Sequence, residues 1–105
     1  MADEDELLQQ ERNKILLETA KINFNDLQHF FASGSLLAVD ASLDLVDVAL
    51  QMTLDNVQQI ELWKQQHLLH FVTDQQAQSW HQNNTSLWAV VIKPWILVQH
   101  KDPAQ

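Results

Sequence analysis

Apolar positions along the chain follow helical spacing in some segments and form short extended runs in others. The helical spacing predicts five helices, over residues 5–22, 23–33, 43–54, 55–66 and 73–84. Apolar runs bounded by turn-forming residues predict strands over 36–40, 68–72 and 87–99. We therefore expect a single α+β domain over residues 1–105, with about five helices packed around a small, partly antiparallel sheet of two to four strands. Its ends, at about 1–5 and 101–105, are expected to fray.

Several helix ends carry recognisable capping signals. Gly34, the only glycine, falls where the second helix would end in a left-handed conformation. Ser42 is placed to cap the third helix. Asp55 and Thr73 are each followed three residues later by a glutamine, which is the spacing of a capping box.

Two segments are more apolar than a small surface element requires. Residues 43–54 have only a narrow polar stripe, which is typical of a helix buried on most sides or lying in a subunit interface. Residues 87–98 are apolar except at Lys93 and Pro94; fully extended they would span about 40 Å, more than the expected breadth of the domain. Pro94 marks a bulge, an edge or a joint between two strands. Both segments favour a homodimer, with the candidate interface residues Leu45, Val48, Met52, Trp88 and Trp95.

The charge balance argues against nucleic acid and anionic membranes as partners. Fourteen acidic residues against six basic ones give a formal charge of −8, whereas phosphate binding needs clustered lysine and arginine. A winged-helix regulator is the least favoured alternative, because the helix that would read DNA, residues 74–82, has no lysine or arginine.

The missing residue types exclude other classes of protein. The chain has no cysteine, which fits a reducing compartment and leaves no thiolate nucleophile. A single glycine cannot build the glycine-rich loops that bind nucleotide phosphates. The acidic start and the lack of a long apolar stretch point to the cytoplasm. We expect no cofactor and find no candidate catalytic residue.

One cluster of carboxylates is a candidate metal site. Asp40, Asp44 and Asp47 are spaced by four and three residues, which aligns them along one side of the third helix and its lead-in. Carboxylate oxygens suit Mg²⁺ or Ca²⁺, although such a stripe is more often simply the solvated side of a buried helix. His67 and His70, with His81 in the next helix, form a weaker metal signal, because two further ligands would have to come from elsewhere.

Several motifs in order resemble a small bacterial family of unknown function, numbered 2288. They cover about residues 15 to 100 and comprise Thr19-Ala20-Lys21-Ile22, Leu27 with Phe30-Phe31-Ala32 and Gly34, Val39-Asp40, Ser42 to Val46 with Val48-Ala49, Val72-Thr73-Asp74 with Gln76, Leu87 to Val91, and Pro94 to Gln99. The resemblance implies a bacterial protein but brings no activity, cofactor or functional residue. His67 departs from the family pattern, in which a glycine closes the fourth helix, and this puts the geometry of that turn in question.

The leading functional hypothesis is a non-enzymatic cytoplasmic interaction module that self-associates as a homodimer. The alternative is a small metal-binding protein or enzyme that uses the aspartates.

Overall fold

A computed structural model describes residues 4–101 of the chain. Within this range the helices are α1 (Glu4–Glu18), α2 (Gln28–Ala32), α3 (Leu45–Thr53), α4 (Val57–Gln65) and α5 (Asp74–Gln82), with a 3₁₀ turn over Phe24–Leu27. The strands are β1 (Ala20–Asn23), β2 (Leu36–Val39), β3 (Leu69–Phe71), β4 (Ser86–Ile92) and β5 (Trp95–Gln99). The predicted α+β class is confirmed, and the sheet has five strands rather than two to four. Residues 4 and 5 belong to α1, residues 1–3 and 102–105 lie outside the described range, and fraying of both ends stays a prediction.

The five strands form one mixed sheet in the order β1-β4-β5-β2-β3. Neighbouring strands are antiparallel except for the central pair, in which β2 runs parallel to β5 with Leu37 opposite Leu97. Because β2 and β5 point the same way, their carboxyl ends meet at one edge of the molecule. This arrangement places Asp40 beside His100.

Both faces of the sheet are covered, which is why the central strands contain almost no polar residue. One face, here called the α3 face, packs against α3 and Ile15 of α1 through Leu37, Val39, Leu69, Val90 and Leu97. The opposite face, the α5 face, packs against the 3₁₀ turn and α5 through Leu36, Ala38, Leu87, Ala89, Ile96 and Val98. Successive strand residues therefore enter different cores, as the pleat requires.

The prediction of a helix over residues 5–22 is wrong at its carboxyl end. The helix ends at Glu18, and Ala20–Asn23 instead forms the edge strand β1, paired with β4. Thr19 closes the helix by donating its hydroxyl hydrogen to the carbonyl oxygen of Ile15, 2.8 Å away. Four residues are too few to reveal a strand by alternation, and their partner strand begins more than 60 residues later.

Two predicted caps are also wrong. Asp44, rather than Ser42, caps α3 by accepting a hydrogen bond from the backbone N–H of Val46. Asn56, rather than Asp55, caps α4, because Asp55 belongs to the turn that ends the preceding helix. The capping box of Thr73 and Gln76 is confirmed, with both reciprocal hydrogen bonds present.

Helices α2 to α5 all end in the same turn, the Schellman motif. In each, the second residue after the last helical one has a positive φ, and the next N–H bonds back to a carbonyl five residues earlier. The positive-φ residues are Gly34, Asp55, His67 and Asn84. Gly34 therefore ends its helix as predicted, and His67 adopts the left-handed conformation at φ 62° despite its side chain.

The long apolar run over 87–99 is not one strand. Lys93 and Pro94, joined by a cis peptide bond, form the turn of a hairpin in which Ile92 pairs with Trp95. Pro94 is thus a joint between two strands, one of the three roles predicted for it. The apolar helix is likewise covered within the chain, since Leu45, Val46, Val48, Ala49 and Leu50 are all buried.

No helix within residues 4–101 is long and apolar enough to cross a bilayer.

Candidate functional site

The three candidate metal-binding aspartates do not stay together in the structure. Asp44 and Asp47 both lie beside Arg12 of α1, with Arg12 Nη2 3.0 Å from Asp44 Oδ2 and 3.1 Å from Asp47 Oδ1. The guanidinium occupies the position between these carboxylates that a cation would take. Asp40 instead accepts a hydrogen bond from the backbone N–H of Ser42 at 2.9 Å and faces a separate cleft.

This cleft, here called the Asp40 cleft, opens at the carboxyl ends of β2 and β5 on the α5 face. Its volume is about 470 Å³. Its apolar part is formed by Ala38, Val98 and the buried Trp80, and its polar part by side chains from the strands and from α5: Asp40, His70, Gln75, Gln76, Ser79 and His100. Clefts of this size at the carboxyl ends of parallel strands are common ligand sites.

Two histidines line the cleft from different strands. His70 lies opposite Ala38 in the sheet, and therefore on the cleft side. Its Nδ1 atom is 2.9 Å from the carbonyl oxygen of Phe71, which can only accept, so the bonded tautomer carries its proton on Nδ1. Nε2 is then the nitrogen that can accept from a ligand. His100 follows β5 and makes an edge contact with the ring of Trp80, with centroids 6.3 Å apart.

The carboxyl group of Asp40 is held in its ionised form. Hydrogen bonds from the side chain and the backbone of Ser42 lower the pKa of Asp40 by more than partial burial raises it, and the charge of His70 in its protonated form lowers it further. Among the side chains that line the cleft, Asp40 is the one acid, and none is a lysine or arginine.

Gln99 fixes the loop that carries Asp40. This residue of β5 is buried, and its Nε2 donates to the carbonyl oxygens of Asp40 at 2.9 Å and Leu43 at 2.7 Å. The side chain therefore ties the turn between β2 and α3 to the end of the central strand. It positions both Asp40 in the cleft and Asp44 at the start of α3.

The other two candidate histidines lie elsewhere. His67 ends α4, and His81 on α5 has Nδ1 2.6 Å from Oδ1 of Asn25 and 2.7 Å from Nε2 of Gln28. In the part of the chain that the structure describes, no group of three or more histidine, aspartate or glutamate side chains is arranged to hold a metal ion.

The five candidate interface residues are divided between the core and the surface. Leu45 and Val48 are buried in the α3-face core. Trp88 is 40% exposed near the edge strand, with Lys21 Nζ 5.8 Å from its ring centroid. Met52 and Trp95 are partly buried and line a crevice at the opposite end of β5 from the Asp40 cleft.

This second feature, here called the Trp95 crevice, has a volume of about 320 Å³ and is lined by Met52, Asp55, Val57, Ile60, Glu61, Lys93 and Trp95. Phe71 on the edge strand β3 extends the apolar surface, because its ring is in edge contact with Trp95 at 5.7 Å. Val57 and Phe71 are 59% and 51% exposed. A group of apolar side chains therefore stays exposed beside the charged residues of the crevice after the chain has folded.

Sequence reasoning missed several residues of both features. Val57 and Phe71 fall within a predicted helix and a predicted strand, and nothing in the sequence indicates that folding leaves both of them exposed. His100 and Gln75 carried no motif, and they meet Asp40 only because β5 lies parallel to β2 and α5 crosses their ends. A signal for the cleft was present in Asp40 itself, an acid directly after a buried strand.

Comparison with known proteins places the chain in a family. The model of the family described as "Protein of unknown function (DUF2288)" matches residues 10–100. The NMR solution structure of PA1075 from Pseudomonas aeruginosa is similar at a TM-score of 0.79 and 35% sequence identity, over 100% of this chain and 97% of that one. None of the curated proteins matches the sequence. The resemblance noted in the sequence is thus confirmed, and the chain belongs to the DUF2288 family.

Proposed function

We propose that the protein is a non-enzymatic interaction module that self-associates as a homodimer through the Trp95 crevice. The observation that carries the proposal is the exposed apolar group of Val57 and Phe71 beside Trp95. Contiguous apolar surface of this kind is a common mark of a protein interface. Tryptophan and phenylalanine, with methionine, are also the residue types enriched at interface centres.

The charges at the rim favour a second copy as the partner. Asp55 and Lys93 line the same crevice and have opposite charges, while Glu61 also lies 3.6 Å from Lys64 on its own helix. In a two-fold dimer the same surface meets itself, so that any contact between two different residues occurs twice, once on each side of the axis. A pairing of Lys93 in one copy with Asp55 in the other therefore forms two ion pairs around the apolar centre.

The two features that first suggested a dimer in the sequence do not support this surface. The apolar helix α3 is covered within one chain, and the long strand folds back as the β4–β5 hairpin. The proposal instead relies on the side chains that folding leaves uncovered. Of the five candidate interface residues, Met52 and Trp95 belong to it.

The test is the mass of the protein in solution, measured by sedimentation equilibrium from low to high micromolar concentration. We expect the mass to rise from 12.2 kDa towards twice that value. Val57→Asp should keep the protein monomeric, because it places a charge in the apolar centre of the interface. The variant should still fold, since an acid in the first turn of α4 is favoured by the helix dipole.

Leu7→Asp is the matched control. Leu7 is 56% exposed, close to the value for Val57, and it also lies near the start of a helix, α1. This variant should dimerise as the wild type does. A wild-type mass of 12.2 kDa at every concentration, or equal dimerisation of Val57→Asp, would exclude the Trp95 crevice as a self-association surface.

We also infer that the protein acts in the cytoplasm of a bacterium. The absence of cysteine and the similarity to a Pseudomonas aeruginosa protein support this placement.

A further inference from the structure

The Asp40 cleft has the size and lining of a small-molecule site that is separate from the proposed interface. It lies at the carboxyl end of β5 on the α5 face, whereas Trp95 begins the same strand and packs on the α3 face. Self-association and occupation of the cleft can therefore be measured independently of each other.

The hydrogen-bonding groups around the cleft include one ionised acceptor, Asp40, and several groups that can accept or donate. A carboxylate offers about four lone-pair positions, and the bonds from Ser42 leave Asp40 with capacity for a ligand. In the neutral form of His70, with the proton on the Nδ1 that is bonded to Phe71, Nε2 is a second acceptor. Ser79 and Gln75 from α5 add a hydroxyl and an amide, each able to accept or donate. A ligand that fits these groups must carry several N–H or O–H donors.

The electrostatic environment selects the charge of that ligand. Asp40 is the one carboxylate lining the cleft, no lysine or arginine lines it, and the whole chain has a formal charge of −8. Asp74, at the start of α5, lines the groove on the other side of that helix. Anionic ligands such as phosphates are therefore disfavoured, and cations are attracted.

The apolar lining next to Asp40 favours a ligand whose charged group has weakly hydrated faces. Its apolar part is bounded by the small side chain of Ala38 and by Val98 and Trp80, next to the carboxylate. A planar amidinium or guanidinium group matches a carboxylate with two parallel N–H···O bonds and is only weakly hydrated on its faces. An ammonium group lacks both properties.

We propose that the Asp40 cleft binds a small planar cation of the amidinium or guanidinium type. Its N–H groups bond to Asp40 and His70, and its flat body fills the space bounded by Ala38, Trp80 and Val98. This is a binding site in its own right and does not depend on the proposed self-association.

Three probes of nearly equal shape and different charge test the proposal: benzamidinium, benzamide and benzoate. Each is titrated into the ¹⁵N-labelled full chain and followed by the amide and indole N–H signals. Benzamidinium should shift, saturably, the signals of residues 38–41, 70, 75–80 and 98–100, including the indole of Trp80. Benzamide and benzoate should bind about tenfold more weakly or worse, because they lose the charge-assisted pair.

Asp40→Asn is the variant that tests the contact. It removes the charge but keeps an oxygen that can accept from the N–H of Ser42, so the turn should persist. We expect benzamidinium binding to fall by about tenfold or more. Glu18→Gln is the control, since it removes one negative charge from the exposed end of α1 and should leave binding unchanged within about twofold.

Any one of four outcomes would overturn the proposal. The first is equal binding of all three probes, the second is unchanged binding to Asp40→Asn, and the third is a set of shifted signals that lies outside the cleft. An effect of Glu18→Gln as large as that of Asp40→Asn would assign the attraction to net charge alone and would likewise overturn it.

Discussion

The residues at helix ends show how far residue type alone predicts backbone conformation. Four helices end in the same left-handed turn, but only Gly34 announces it in the sequence. Aspartate is a favoured N-cap residue, so the sequence predicts that Asp55 begins α4, whereas in the structure it ends α3. His67 offers only a weak signal, because histidine, although more frequent at positive φ than most side chains, adopts it far less readily than glycine. The hydrogen bonds of the turn, such as Leu68 N–H to Trp63 O at 2.9 Å, hold it there.

The left-handed conformation at these turns predicts stability changes of opposite sign for two substitutions. His67→Gly should stabilise the protein by about 0.5 to 1 kcal/mol, because glycine adopts positive φ without the Cβ penalty. Gly34→Ala should destabilise it by about 1 kcal/mol, although no atom lies within 4 Å of the added Cβ, because the cost is conformational. Urea unfolding at equal protein concentration measures both changes.

Gln66→Gly is the control for the first substitution. Gln66 immediately precedes His67 but has a negative φ of −83°. Glycine at this position should therefore destabilise the protein, by about 0.5 to 1 kcal/mol. If both glycine variants shift stability in the same direction, His67 does not occupy the left-handed conformation in solution.

At the scale of elements, the order of helices and strands follows from the sequence pattern, whereas strand pairing does not. The capping box of α5 and the extended runs of β2, β3 and β4–β5 were found because their signals are local. Strand β1 was missed, since its place in the sheet depends on pairing with β4 far along the chain. The parallel pairing of β2 with β5, which forms the Asp40 cleft, has no local signal at all.

The docking of α1 on α3 depends on Arg12, which gives a prediction about charge. Ile15 is the one buried residue of α1. The ion pairs of Arg12 with Asp44 and Asp47 therefore supply much of the specificity of the contact. Arg12→Met should destabilise the protein by about 0.5 to 1.5 kcal/mol, as expected for two partly exposed pairs. The loss should shrink in high salt, which screens such pairs.

Lys14→Met removes a positive charge from the same helix, two residues further on. It is the control for the effect of making an acidic protein more acidic. If the two variants lose equal stability at low salt, the pairs seen at Arg12 contribute nothing specific.

The link between β5 and the β2–α3 loop depends on one buried amide, that of Gln99. Gln99→Leu should cost about 2 kcal/mol, because it leaves the partly buried carbonyl oxygens of Asp40 and Leu43 without their donor. Thermal and urea unfolding measure the loss. Gln10→Leu on the exposed side of α1 should change stability by less than about 0.5 kcal/mol. A loss for Gln99→Leu no larger than this control would contradict the role assigned to the amide.

At the scale of the whole molecule, the structure places the exposed apolar surface on other residues than those that the sequence pattern indicated. The features that stood out in the sequence, an all-round apolar helix and an overlong strand, are both accommodated inside one chain. The exposed apolar surface beside Trp95 comes from Val57 and Phe71, which are ordinary members of amphipathic elements. Whether such a side chain is covered depends on how the helices and strands pack together, and no local sequence pattern predicts that.

The most direct measurement of self-association is contact between copies detected by paramagnetic broadening. Because the chain has no cysteine, Gln58→Cys on the exposed side of α4 provides one site for a nitroxide label beside the Trp95 crevice. Labelled protein is mixed with ¹⁵N-labelled, nitroxide-free protein at physiological ionic strength, since the charge of −8 opposes association at low salt. We expect broadening of the ¹⁵N copies at residues 52–61, 71 and 93–95, and recovery of those signals when the label is reduced. No broadening between copies at high micromolar concentration, or broadening confined to α1, would contradict self-association through the Trp95 crevice.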